Sequence, residues 1–130
     1  MYVNTMGVNK TDSISNWNFR NSDYIDDLIS VIESSKDIEG EYVGGWATKK
    51  SHTYNCYKTL LEIVSDSLWV ELSYSKSPVM RYYAYEALLT RESANLSSVR
   101  SRLLKDTTQV CFHTCDIIIC NCTLGKLIEK

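Results

Sequence analysis

One proline and five glycines in 130 residues leave little to break a regular backbone. That scarcity excludes long irregular or low-complexity segments and favours helices. No apolar run approaches the roughly 18 residues that a membrane-spanning helix needs, so no membrane partner is expected. Met1 to Asn21 lacks the basic, apolar and small-residue succession of a secretory signal, which predicts a cytoplasmic protein. A basic excess is missing too: Lys and Arg number 14 against 16 Asp and Glu, a net charge of −2. Surfaces that bind nucleic acid usually carry that excess, so nucleic acid is not expected as a partner. Gly-x-Ser-x-Gly is absent, the only histidines are His52 and His113, and Gly44-Gly45 lacks the Lys and Ser/Thr of a phosphate loop. These absences predict a protein that is not an enzyme.

What is present is ordinary for a globular chain, with 44% hydrophobic and 23% charged residues, and the length suits one domain over residues 1–130. Residues 1–21 are polar and read as an N-terminal arm, with Trp17 and Phe19 to pin it. Ile25, Leu28, Ile29 and Ile32 form an apolar stripe and predict a helix from Ser22 to Ser35. Lys36 to Ser51 is a glycine-punctuated connector carrying Tyr42, Val43 and Trp46. Helical spacing returns from His52 to Val64, and Ser65 or Asp66 recaps a short helix at Ser67–Tyr74. Ser77-Pro78 then opens a helix to Leu89, since proline suits the first helical turn. Its stripe is Met80, Tyr83, Ala84, Ala87 and Leu88, while Tyr82, Tyr85, Glu86 and Leu89 lie opposite, so it packs on two sides. Leu96, Val99, Leu103 and Leu104 mark another short helix. Val110 to Thr123 is the most apolar segment. Its β-branched residues also suit a strand, but its length and the lack of an evident partner strand favour a helix stopped at Gly125.

The run Ser77-Pro78-Val79-Met80-Arg81-Tyr82-Tyr83-Ala84-Tyr85-Glu86-Ala87-Leu88 resembles the second helix of a HEAT repeat. Asp106 followed by Val110 resembles the same turn and helix entry, without the arginine and alanines. Gly40-Glu41-Tyr42-Val43-Gly44, Ser51, Tyr54 and Leu60-Leu61 together are similar to small uncharacterised bacterial proteins with HEAT-like helices. The resemblance spans Asp66 to Thr123. It implies an all-α fold of stacked helical hairpins, a short α-solenoid, with the N-terminal helices as caps. It speaks to helix packing and not to chemistry.

Cys111, His113, Cys115, Cys120 and Cys122 are the densest group of metal-ligand types. No Cys-x-x-Cys occurs and no second ligand pair has finger spacing, so buried, reduced cysteines are the expectation and no cofactor is assigned. A metal or thiol site on the Cys111–Cys122 helix is the alternative. The charge is segregated: Asp23, Asp26, Asp27, Glu33, Asp37, Glu39 and Glu41 face only Lys36, whereas Lys76, Arg81, Arg91, Arg100, Arg102 and Lys105 outnumber Glu86 and Glu92. Acidic and basic faces that attract each other within the fold are one reading, and an acidic face for a basic partner is the other. Aromatic residues are enriched at binding hot spots. The expected function is therefore a non-catalytic protein-binding module, in its narrower form an immunity protein that neutralises a co-encoded toxin. The expected partner contacts are Asp26, Asp27, Glu33, Trp46, Tyr82 and Tyr85.

Overall fold

The computed structural model describes residues 10–44, 48–114 and 117–129, with side chains from Ser22 onward. Along them run α1 (Lys10–Glu33), β1 (Ile38–Glu39), β2 (Tyr42–Val43), β3 (Lys49–Lys50), α2 (His52–Ile63) and α3 (Asp66–Leu72). Then follow α4 (Pro78–Thr90), α5 (Leu96–Leu103), β4 (Gln109–His113), β5 (Ile118–Thr123) and α6 (Leu124–Glu129). The fold is mixed α/β, and its sheets overturn the expectation of an all-α HEAT-like solenoid. The arm expectation changes as well, because Lys10 to Asn21 is the first half of α1.

Three successive helices start in the same way. Ser51, Ser65 and Ser77 each accept a hydrogen bond from the backbone N–H three residues on, at 2.9, 3.3 and 3.1 Å. Each serine thereby satisfies one of the donors a helix leaves open at its N-terminus, an effect of about 1 kcal/mol per cap. Pro78 takes the first turn of α4, where its missing N–H leaves no bond unmade. Seven of the thirteen residues of α4 are buried, including Met80, Tyr83, Ala84, Ala87 and Leu88. They pack against α1, α3, α5 and α6, so α4 is the axis of the core and is covered on two sides as its sequence predicts.

The segment Val110–Thr123 is a β-hairpin and not a helix. Thr114 N–H bonds to Ile117 O at 2.9 Å across the turn. Its valine, isoleucines and threonines suit a pleated surface better than a helix, where branching at Cβ restricts the rotamer. The partner strand is β1, only two residues long and placed in the connector, which pairs parallel to β4 with Ile38 opposite Phe112. β5 lies outermost, giving the order β1-β4-β5, while β2 and β3 form a separate antiparallel ribbon. The β4–β5 register slips between Val110 and Phe112, and Asn121 opposite the slip has φ of 58°. A disulfide joins Cys111 to Cys120 across this irregularity.

One α4 side chain hydrogen-bonds the first strand of the sheet. Tyr83 is buried, its hydroxyl donates to Glu39 O at 2.6 Å, and it accepts from Glu39 N–H at 3.1 Å. Three arginines tie the loops. Arg81 Nε bonds to Asp106 at 2.9 Å, and its other nitrogens reach Ser75 O and Thr108 Oγ1. Arg91 bridges Asp66 and Leu61 O; Arg102 holds Ser73 and lies 3.8 Å from the centre of the Tyr74 ring. Burial alone would raise the Asp106 carboxyl. Thr108 and the Arg81 guanidinium outweigh it and hold the group below the usual carboxylate range.

Gly125 is not a helix stop. It is the second residue of α6 and presses against the end of α5. A Cβ there would sit 2.9 Å from the Leu104 carbonyl carbon, closer still to its oxygen, and 3.1 Å from Asp106 O. These are backbone atoms that cannot swing aside. Gly125→Ala is expected to lower stability by about 1–3 kcal/mol, the usual effect of overpacking. Urea unfolding checks this, and a variant as stable as the parent would show that α6 is not seated as described.

Candidate functional site

The second face of α4 carries Tyr82 and, one turn on, Glu86. Below them a cavity of about 310 Å³ is lined by Tyr82, Glu86, Val110, Phe112, Ile119, Cys122 and Leu127. Its walls come from α4, both strands of the hairpin and α6. On the other side of Tyr82 a smaller cavity of about 150 Å³ runs toward α2, where Tyr54, Tyr57, Lys58 and Leu61 join Glu39, Tyr83 and Thr90 in lining it. The two share Tyr82, Glu86 and Phe112, and together make one groove over α4.

Aromatic rings run the length of this groove. Tyr57 stacks on Tyr83 at 4.8 Å, Tyr83 meets Tyr82 edge-on at 5.8 Å, and Tyr82 meets Phe112 edge-on at 6.2 Å. Such offset and edge-on pairs are favourable because the positive ring edge meets a negative face. Glu86 is the one charged residue lining the larger cavity, and it makes no ion pair among the described residues. Burial, with the Glu86 carboxylate adding to it, pushes the Tyr82 phenol well above its ordinary range. Tyr82 therefore stays a neutral O–H donor wherever proteins are folded. A carboxylate and a phenol in an apolar, aromatic setting recognise a cation with an apolar stem: the charge meets Glu86 and the stem meets the rings.

A broader depression of about 560 Å³ lies over the disulfide, lined by Lys36, Asp37, Gln109 and Asn121 as well as the bridge. It mixes both signs of charge and has no ring, so it selects no ligand chemistry.

Among the described residues no three His, Cys, Asp or Glu side chains are grouped to hold an ion. Cys111 and Cys120 are bridged, Cys122 is a half-buried thiol in the groove, and Cys115 lies outside the described residues. The expectation of five reduced, buried cysteines is corrected by that bridge. No helix among the described residues is long and apolar enough to cross a membrane. His52 Nε2 lies 3.9 Å from Cys56 Sγ, one helical turn away on α2. Burial pushes that thiol up, the reverse of what a nucleophilic cysteine needs. The pair is a packed core thiol with a polar neighbour.

Of the expected contact residues, Asp26 and Asp27 are exposed on α1. Glu33 is exposed and accepts a hydrogen bond from Ser75 Oγ at 2.6 Å. Tyr82 lines the groove. Tyr85 is only 4% exposed and sits in the core, because α4 is covered on that side, so it is not available to a partner. Trp46 lies outside the described residues. Glu86, Phe112, Ile119 and Cys122 were not among the expected contacts. The Tyr82–Glu86 spacing of one helical turn is the signal that marks the first of them. No family model matches the chain, and no curated protein or solved structure shows significant similarity to it.

The phenols give a direct check on the groove's burial. Burial chiefly, with Glu86 adding to it and Thr90 opposing it, pushes Tyr57 up to about 12, and burial raises Tyr83 too. An unfolded chain ionises its phenols near pH 10, about 2 units lower than Tyr57 here, so between those values the native state holds more protons. The stability from these groups is complete below about pH 10 and is lost as pH rises toward 12. Tyrosinate absorbance should accordingly rise in two stages, the second coinciding with loss of helical circular dichroism. Ionisation of every tyrosine near pH 10 in a protein that stays folded would contradict a buried aromatic row.

Proposed function

We propose that the protein is a non-catalytic binding module, whose groove over α4 receives a lysine or arginine side chain presented by a protein partner. One observation carries the reading: Glu86, a carboxylate without an ion pair among the described residues, sits in an apolar cavity walled by Tyr82 and Phe112. General acid–base or nucleophilic catalysis calls for a second positioned group. In the larger cavity the other polar side chains beside Glu86 are a neutral phenol and a thiol, while Lys58, Glu39 and Thr90 line the smaller one. The exposed acids Asp23, Asp26 and Asp27 on α1 add a favourable field for a basic partner. Neutralisation of a basic toxin is the narrower form of this activity that the acidic face suits.

The probe is N-acetyl-lysine methylamide, titrated into isotope-labelled protein and followed by nuclear magnetic resonance. Shifts centred on Tyr82, Phe112 and Leu127 are expected. Glu86→Gln keeps the shape and removes the charge, and should weaken binding about tenfold, the effect of losing one charge-assisted hydrogen bond. A norleucine probe bound as well as lysine, or unchanged affinity in Glu86→Gln, would defeat the proposal.

A further inference from the structure

We infer that β5 is a docking edge: an extended segment of the partner adds to it as a further strand and sends one basic side chain into the cavity at Glu86. This rests on the groove reading above and supplies the binding mode.

β5 is the outer strand of its sheet, so among the described residues one row of its backbone N–H and C=O groups has no neighbouring strand. Edge strands are usually guarded by lysine, proline or inward charge, which prevent unwanted pairing. From Ile117 to Thr123 there is no charged residue and no proline. Ile117, Ile118 and Ile119 are instead 55%, 59% and 45% exposed. The Thr114 N–H to Ile117 O and Leu124 N–H to Thr108 O bonds bracket the hairpin. Alternation along an antiparallel ladder from the first of these turns the N–H and C=O of Ile118 outward. An incoming backbone therefore meets a matching donor and acceptor.

The edge and the groove are continuous. Ile119 and Cys122 belong to β5 and also line the cavity that holds Glu86. An added strand lies roughly 4.8 Å beyond β5, and every second side chain on it shares the Ile119 face. A lysine or arginine at one such position extends across β5 toward the cavity that Glu86 lines. Its neighbours on the strand pack on isoleucine. A second copy of β5 would pair as well through its backbone, but brings no cation and leaves Glu86 unmatched. The partner the surface fits is an uncharged, β-branched extended segment with a single basic residue. Backbone bonding beside one selective side-chain pocket is a recurrent mode of peptide capture.

The test uses the full chain and a dye-labelled, capped seven-residue peptide of alternating valine and threonine with a central lysine, read by fluorescence anisotropy. N-methylation of the alternate peptide amides that would face β5, and separately Ile118→Pro in the protein, should each weaken binding at least tenfold. Glu86→Gln should do so too. The N-methylated peptide keeps the test decisive even where Ile118→Pro perturbs the hairpin. Binding that survives N-methylation yet falls in Glu86→Gln overturns the docking edge and leaves the groove reading intact. Insensitivity to Glu86→Gln overturns both. A dimer in sedimentation that Ile118→Lys dissociates would show a second copy on the edge and likewise overturn the inference.

Discussion

The Tyr83 hydroxyl fixes the first strand of the sheet to α4. Tyr83 donates to Glu39 O and accepts from Glu39 N–H, so both polar groups of that residue are matched by a single side chain on α4. A two-residue strand has almost no hydrogen-bonding capacity of its own, and a short isolated pairing is marginal in water. Docked by Tyr83, β1 becomes a fixed edge on which β4 can pair, and β4 in turn positions β5. The groove walls follow from that order: Phe112 from β4, Ile119 from β5, and both facing the helix that carries Glu86. The Ser51 hydroxyl extends the same junction, because it donates to the Glu39 carboxylate while capping α2.

The basic stretch from Lys76 to Lys105 has the look of a ligand surface in the sequence and behaves as internal fastening in the fold. Arg81 joins two loops, Arg91 joins the end of α2 to the start of α3, Arg102 holds the turn after α3, and each uses a backbone carbonyl oxygen as well as a side chain. A guanidinium suits this work because its fan of donors satisfies several acceptors at once. The acidic stretch differs. Asp23, Asp26 and Asp27 stay exposed on α1, which leaves a surface more negative than the overall charge of −2 suggests.

Helix starts were legible at Ser51, Ser65 and Ser77 but not for α1, which begins at Lys10 and not at Ser22. Ser51, Ser65 and Ser77 are real caps, and α2, α3 and α4 begin where their sequences imply. The sheet was not legible, for a physical reason: β1 is Ile38–Glu39, too short to show alternation, and its partner lies far along the chain. Without a visible partner, the apolar run Val110–Thr123 looked long enough for a helix, although its branched side chains already pointed to strands. The groove was half legible. Tyr82 and Glu86 share a face by spacing alone, but Phe112, Ile119 and Cys122 reach that face only through the pairing of strands. The register slip at Val110 and Phe112, with Asn121 in the left-handed region, has no counterpart in composition.

The parallel pairing of Ile38 with Phe112 also governs the order in which the molecule can assemble. Helices α2, α3 and α4 are capped locally and meet near neighbours, so little chain entropy opposes their association. The β1–β4 contact closes a loop containing all of α2 to α5, and such a closure becomes favourable only after the intervening core has collapsed. Emerging from a ribosome, the chain would present α2 to α5 before the hairpin. The cavity is thereby postponed until β4 and β5 have paired, and before that Tyr82 and Glu86 lie on a helix with no opposite wall.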